Sequence, residues 1–458
     1  MNRLFNSNKP INKWAFKKVL IANRGEIAIR IIRACRQLGL ETVAVYSLAD
    51  KKALHTQLAD QAICIGPADP LKSYLNIPRI IEAAKLMGVQ AIHPGYGFLS
   101  ENANFARVCE KNNLIFIGPS AKIISFLGNK EQARLTMSKA GMPIIKGSLK
   151  AITSLEKAKE QALKIGFPLV IKASAGGGGK GLRLVKKKNN FEKKFQLAQQ
   201  EAKATFNDDH MYLEKYLSHP RHIEVQIIAD KTGNVTVIGE RDCTIQHNHQ
   251  KIIEEAPAVV LKEKTRRRMF KICKVAVEKL HYMGLGTIEF LYENDRNFYF
   301  MEMNTRVQVE HPVTELTTSL NLIISQFKAA AGEKLSENQP FESGFALECR
   351  INALNPGTII GLHLPGGFGI RVDTAIYQGY YVPPNYDGLI AKIIVFGRKR
   401  TFVLHQMENI IDETVIKGIK TNLNLLEQIL SEPDMKEQKT DVNWLDQKIN
   451  FSGEKNEN

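Results

Sequence analysis

The chain has 458 residues, 44% apolar and 24% charged, enough for about three domains with their own cores and too ordinary a mixture for a disordered, collagenous or coiled-coil protein. Its 63 Lys and Arg outnumber 47 Asp and Glu by 16, but the basic runs Lys186-Lys187-Lys188, Arg266-Arg267-Arg268 and Arg398-Lys399-Arg400 lie far apart without interleaved aromatics, which argues for solvated surface and against nucleic-acid binding. No apolar run reaches the roughly 18 residues of a membrane helix, and six scattered cysteines without a CxxC pair fit reduced thiols in a cytoplasm.

Residues 1–14 read as a basic extension: Met1 to Gly25 hold no acid, yet few serines and no apolar leader core. Residues 15–128 alternate strands (Lys18 to Ala22, Thr42 to Ser47, Ala62 to Gly66, Gln90 to His93, Leu114 to Gly118) with helices (Glu26 to Gln37, around Pro78 to Met87). That rhythm predicts right-handed βαβ units and a parallel sheet. The first strand runs into Asn23-Arg24-Gly25-Glu26 instead of GxGxxG, so a dinucleotide is not expected; a site is expected at the carboxyl edge around His93-Pro94-Gly95-Tyr96-Gly97.

Residues 129–344 change texture. A helix (Lys130 to Ala140) precedes strand Leu169 to Lys172, a glycine loop, strand Leu182 to Val185, a Lys- and Gln-rich helix and strand Met211 to Tyr216, which together suggest a mobile lid over about 145–217. Strands from His222 to Phe300 around one helix near Thr265 to Leu280 predict an antiparallel sheet. Residues 345–443 hold glycine turns and short strands closed by helices, a smaller α+β domain, and 444–458 read as a loosely held polar tail.

Three stretches carry chemistry. In Gly176-Gly177-Gly178-Gly179-Lys180-Gly181 no Ser or Thr follows the lysine, which excludes a Walker A loop and leaves a hairpin whose N–H groups can fold over phosphate; Gly177, Gly178 and Gly179 are its expected contacts. Lys130 and Lys172, each readable alone as a surface lysine, become phosphate ligands beside such a lid. In Phe298 to His311, strand periodicity puts Glu302, Asn304, Arg306, Gln308 and Glu310 on one face. Glu289 interrupts an apolar strand, so Glu289 and Glu302 are expected to share Mg²⁺ or Mn²⁺ with ATP; a structural salt-bridge strip is the alternative. Arg306 and Gln308 offer donors to a small planar anion, and Glu310 is the base candidate, a role expected to need a raised pKa. His247-Asn248-His249 would point both rings one way on a strand, but without a third zinc-type ligand it suggests, with His222, hydrogen bonding to phosphate or ribose.

The runs Ile21-Ala22-Asn23-Arg24-Gly25-Glu26-Ile27-Ala28, His93 to Asn102, Lys172-Ala173-Ser174 with its glycine loop, Glu240-Arg241-Asp242-Cys243, Glu302 to Arg306, Glu310 to Glu315, Glu348 to Ala353 and Tyr386-Asp387-Gly388 closely resemble the biotin carboxylase family, the ATP-grasp component of bacterial acetyl-CoA carboxylase, from about Lys18 to Asn443. The resemblance implies a parallel-sheet N-terminal domain, a central ATP-grasp domain with its lid and a C-terminal biotin carboxylase domain. It implies that ATP phosphorylates bicarbonate to carboxyphosphate, which yields CO₂ and phosphate; phosphate then deprotonates biotin for attack on CO₂. It further implies that Glu289 and Glu302 hold two metal ions with Asn304 nearby. Glu310 deprotonates bicarbonate positioned by Arg306, Gln308, the Val309 backbone and Lys251, while Arg350 stabilises the biotin enolate and Tyr96 adjoins the substrate site. By the same resemblance Lys130 and Lys172 are expected to hold phosphates, Glu214 and the Leu217 backbone to read adenine, and Lys215, His222, Gln246 and His249 to help bind the nucleotide.

Three departures stand out. His247 and Asn248 replace two arginines, residues are missing between Pro356 and Pro365-Gly366-Gly367, and Gln37 replaces an acid that pairs across the family's homodimer with the arginine at Arg33. With no Ala-Met-Lys-Met site, biotin is expected on a separate carrier protein, with carboxyltransferase subunits completing fatty-acid synthesis. The rivals are another ATP-grasp carboxylase or carbamoyl-phosphate-type synthase, and a degenerate regulatory subunit.

Overall fold

The computed structural model describes residues 15–148, 150–174, 182–336, 340 and 343–455. Residues 1–14 and the glycines Gly177, Gly178 and Gly179 lie outside the described residues, as does the side chain of Lys130, the first residue of helix Lys130–Lys139.

Five β-branched strands form the expected parallel sheet, in the order Gln61–Gly66, Glu41–Ser47, Lys18–Ile21, Ala91–His93, Ile115–Phe116. Helices on its faces bury it from both sides, which is why Val19, Ile21, Val43, Val45 and Ile92 are all apolar. Chain order reverses between Lys18–Ile21 and Ala91–His93, the crevice where open α/β sheets collect ligands. Asn23 bridges that crevice, its Nδ2 donating to Pro94 O and Tyr96 O, both at 2.7 Å. Gly95 (φ +65°) permits the approach, because a Cβ there would stand 2.8 Å from Asn23 Nδ2. Helices Leu54–Leu58, Ala103–Lys111 and Ala121–Gly128 add to those read from the sequence.

A second, antiparallel sheet of eight strands follows, in the order Asn297–Asn304, Gly284–Asn294, Arg221–Ala229, Val235–His247, Gln250–Ala256, Phe345–Asn352, Leu389–Gly397, Ile370–Thr374. It runs without a break across position 345, where the sequence suggested a domain boundary. Helix Glu263–Lys279 covers one face through Met269, Cys273, Ala276 and Val277, packed against Ile223, Val225 and Ile227. The lid is a separate three-stranded sheet, Leu182–Val185, Leu169–Ala173 and Met211–Lys215, whose core of Ala162, Ile171, Phe195 and Leu213 is its own.

Three expectations need correction. The strand carrying Glu302 and Asn304 ends at Asn304; Arg306, Gln308 and Glu310 follow in irregular chain up to helix His311–Thr318, whose second residue is Pro312. His247 ends its strand, and Asn248 and His249 form a hairpin turn, so the two rings do not alternate on one strand. Residues 444–455 of the tail are not loose: helix Trp444–Lys455 buries Trp444 and Leu445 in the C-terminal core, with Trp444 Nε1 donating to Asp434. No cysteine pairs among the described residues, and none of their helices is long and apolar enough to cross a membrane.

Candidate active site

The free face of the antiparallel sheet supplies the polar groups. On Arg221–Ala229 the odd residues Ile223, Val225 and Ile227 enter the helix-backed core, leaving His222, Glu224 and Gln226 on the other side. The register sets Glu224 against Arg241 on one neighbour and Glu289 on the other, and Glu289 against Glu302. The result is a cleft of about 570 Å³ between sheet and lid.

The cleft brings together Lys172, Glu214, Lys215, Leu217, His222, Gln246, His249, Lys251, Glu289, Glu302, Asn304, Arg306, Gln308, Val309, Glu310 and Arg350. These come from segments more than a hundred residues apart. Tyr96 does not line it. Its hydroxyl donates to Glu26, which pairs at 3.1 Å with the buried Lys392, and Lys392 Nζ donates to Val309 O at 2.8 Å, a relay that links Tyr96 to the cleft.

Lys251 is the hub. Its Nζ gives one hydrogen bond each to Glu224 Oε2 (2.6 Å), Glu310 Oε1 (2.6 Å) and Glu289 Oε1 (3.1 Å), using all three protons. Behind it the fully buried Arg241 donates to Glu224, Gln226, Thr287, Thr314 and Gln308. Because Gln308 Oε1 accepts from Arg241, its Nε2 is left to donate to Glu289 Oε1 at 2.7 Å. Arg350 lies between Glu254 (Nε to Oε1, 2.6 Å) and Glu310 (Nη2 to Oε2, 3.1 Å). Arg306 is aimed by Glu101, 2.7 Å from its Nε, and by Asn304 Oδ1 at 3.0 Å. Over the cleft, Glu214 is held by Arg134 and by Lys172 Nζ at 2.5 Å.

Burial raises the pKa of Glu310, but Lys251, Arg350 and Arg241 outweigh it and hold the carboxyl well below the ordinary range. The raised pKa expected for a base is therefore not met; Glu310 is ionised and able to accept a proton, but with its negative charge already compensated. Glu289 is likewise depressed, burial being outweighed by Lys251 and His222. Glu254 goes the other way, pushed up to about 7 by burial in spite of Arg350. Lys251 is raised well above a free lysine, because its three carboxylates overcome desolvation.

Glu289, Glu302 and Asn304 present hard oxygen donors, the set suited to Mg²⁺ or Mn²⁺, and Glu289 is already an ionised buried carboxylate. His222, Glu224 and Glu289 bring one ligand atom each within 4.8 Å of one another. Glu302 faces Glu289 in register and lines the cleft without joining that cluster. Sequence reading missed Glu224, Arg241, Glu254 and Lys392. For Glu224 the alternation Arg221-His222-Ile223-Glu224-Val225-Gln226-Ile227 was the available signal, since polar side chains alternating with apolar ones on a sheet strand need partners once covered.

Three family models match: "Biotin carboxylase, N-terminal domain" over residues 15–124, "Carbamoyl-phosphate synthase L chain, ATP binding domain" over 129–338 and "Biotin carboxylase C-terminal domain" over 348–447. The chain is 51% identical over 419 residues to the biotin carboxylase of Haemophilus influenzae, covering 89% of this chain and 93% of that one, and equally so to biotin carboxylase 1 of Bacillus subtilis. Among solved structures, a Campylobacter jejuni biotin carboxylase complex with a "beta-gamma-ATP" ligand superposes with a TM-score of 0.91 at 44% identity, over 94% of this chain and 99% of that one. The biotin carboxylase domain dimer of Hydrogenobacter thermophilus 2-oxoglutarate carboxylase, bound to MgADP and bicarbonate, gives 0.90 at 42% identity over 95% and 98%.

Proposed function

The chain belongs to the biotin carboxylase family of ATP-grasp ligases, which carboxylate biotin with ATP, Mg²⁺ and bicarbonate, and we propose that it performs this reaction on biotin attached to a separate carboxyl carrier protein, as the first half-reaction of an acetyl-CoA carboxylase in fatty-acid synthesis. The observation that carries the residue assignments is the meeting of Lys251, Arg306, Arg350 and Glu310 at one end of a cleft whose other end holds Lys172 and Glu214. Adenine takes the lid end against Glu214, Lys215 and Leu217, with His222, Gln246 and His249 along the nucleotide and Lys130, Lys172 and the glycine loop at its phosphates.

Glu289 and Glu302, with Asn304 alongside, would hold Mg²⁺ or Mn²⁺, which would neutralise charge on the bound phosphates. Bicarbonate takes the position between Arg306, Gln308 and the Val309 backbone. Glu310 accepts its proton as phosphate anions compete for Lys251 and Arg350, because loss of those cations returns Glu310 toward the higher basicity that burial alone would impose. Arg350, a fixed cation in a largely dry site, then stabilises the oxyanion of biotin. Lys392 holds the Val309 carbonyl, and so the position of this segment, from behind.

Carboxyltransferase subunits and a cytoplasmic location belong to the same reading, as does a homodimer, which the Hydrogenobacter domain dimer supports. In this chain Arg33 is exposed and Gln37 accepts from Asn321 at 3.3 Å, so any dimer contact here lacks the acidic partner at position 37. The test is ADP release: it is expected to require bicarbonate and to rise with free biotin. ADP release insensitive to biotin would favour a different ATP-grasp ligase, and none at all a degenerate subunit.

A further inference from the structure

His247 and Asn248 are tied into the fold by hydrogen bonds of their own. His247 and Gln250 close a two-residue hairpin through Asn248 (φ +50°) and His249 (φ +62°), the pattern of a type I′ turn. Asn tolerates that conformation; His does so at a cost, since a side chain with positive φ crowds its own carbonyl. The turn is held from outside. Asp446, in the first turn of helix Trp444–Lys455, takes two hydrogen bonds on its Oδ1, from His247 Nδ1 (2.8 Å) and from the Asn248 backbone N–H (3.1 Å). With the His247 proton on Nδ1, Nε2 is left to accept from Asn248 Nδ2 at 3.0 Å.

We infer that Asp446 is a positioning residue for the nucleotide end of the cleft, a latch by which the C-terminal helix fixes the 247–250 turn through His247 and Asn248. The inference rests on the biotin carboxylase reading of the cleft. Gln246, His249, Gln250 and Lys251, which flank the latched residues, all line the cleft, and so do Val442 and Asn443 on the segment leading into the helix. The latch therefore ties both walls together. Asp446 is not needed to dock the helix: Trp444 and Leu445 are buried, Lys448 pairs with Glu432 at 2.7 Å, and Val442 N donates to Pro220 O at 3.0 Å. Hydrogen bonds from His247 and from the Asn248 backbone to Asp446 thus fix the turn in place.

The experiment measures MgADP affinity by calorimetry, and KM for ATP and bicarbonate separately, on the full chain. Asp446→Ala is expected to weaken MgADP binding and raise KM for ATP about fivefold to twentyfold, as loss of hydrogen bonds to a charged group would, with KM for bicarbonate and kcat moving less than about twofold. Gln447→Ala, exposed on the same helix, should change none of these. His247→Ala combined with Asp446→Ala should come within about twofold of Asp446→Ala alone, since the His247 bond to Asp446 is already lost in the single variant. If Asp446→Ala does not fold, Asp446→Asn keeps the side-chain shape and is expected to weaken MgADP binding at least about threefold. Unchanged nucleotide affinity in a folded variant, or parallel losses in bicarbonate KM and kcat, overturns the latch. A wild-type chain that binds no MgADP overturns the reading of the cleft as well, whereas an active wild type with an unmoved variant overturns the latch alone.

Discussion

Lys251 spends its three protons on three carboxylates, which makes Glu310 the group whose charge the site works hardest to hold. Glu310→Gln keeps the shape and one oxygen acceptor but cannot take a proton. It is expected to retain MgADP binding and to lose bicarbonate-dependent ADP release by at least about a hundredfold, the scale of general-base catalysis; full activity would refute the assignment. Glu348 is a different case. It lies fully buried opposite Glu254 in register, neither oxygen has a hydrogen-bond partner among the described residues, and burial together with Glu254 pushes its pKa well above the usual 4.5 in spite of Lys392 and Arg350. The native state thus keeps a proton that the unfolded chain releases. The stability this contributes is complete below about pH 4.5 and is lost as pH rises toward the native pKa. Glu348→Gln mimics the protonated form, so its melting temperature is expected to gain on the wild type between about pH 5 and pH 8, by about 2 °C or more. An equal offset at both ends would mean that Glu348 is ionised throughout. Neither Glu348 nor Glu254 stood out in the sequence as a site residue, because a single Glu in a strand reads as a solvent-facing position until the covering layer is known.

At the scale of elements, strands were legible wherever one periodicity ruled the whole run. All five strands of the parallel sheet fall within two residues of their expected ends at each side. The polar face of Phe298 to His311 was read as one strand because alternation continues past Asn304, yet pairing with Gly284–Asn294 stops there. What keeps Arg306 in the cleft is a different element: the loop before helix Ala103–Lys111, capped by Asn102 on Phe105 N at 2.9 Å, delivers Glu101 to Arg306 Nε and to Thr305 N. Such a contact, spanning two hundred residues, leaves no periodic trace. Glu101→Ala is accordingly expected to raise KM for bicarbonate about fivefold to tenfold, through loss of a charge-assisted hydrogen bond, with little effect on MgADP affinity. Equal effects on both ligands would instead point to displacement of the whole loop.

For the whole molecule, composition and texture distinguish a central and a C-terminal domain, and both are present. Strand pairing joins them: Gln250–Ala256 hydrogen-bonds to Phe345–Asn352 and buries Ile253 beside Cys349, so the two domains share one sheet and one side of the active cleft. A chain cut after Gly344 would leave Gln250–Ala256 as an unpaired edge with Ile252 and Ile253 uncovered, and would strip Glu254 and Glu310 of Arg350. It is expected to aggregate. The lid is the more separable unit, because its core residues pack with one another and the segment entering it meets its last strand directly, Ser148 N donating to Leu213 O at 2.8 Å and Leu213 N to Ser148 Oγ at 3.0 Å. Replacing residues 150–211 by a short glycine-serine linker therefore closes a gap that is already bridged. The shortened chain is expected to be monodisperse by light scattering and to unfold cooperatively on heating, while losing MgADP affinity about a hundredfold with Lys172 and the glycine loop gone. Aggregation of the lid-less chain, with the chain cut after Gly344 folding normally, would reverse the assignment of which boundary is structural.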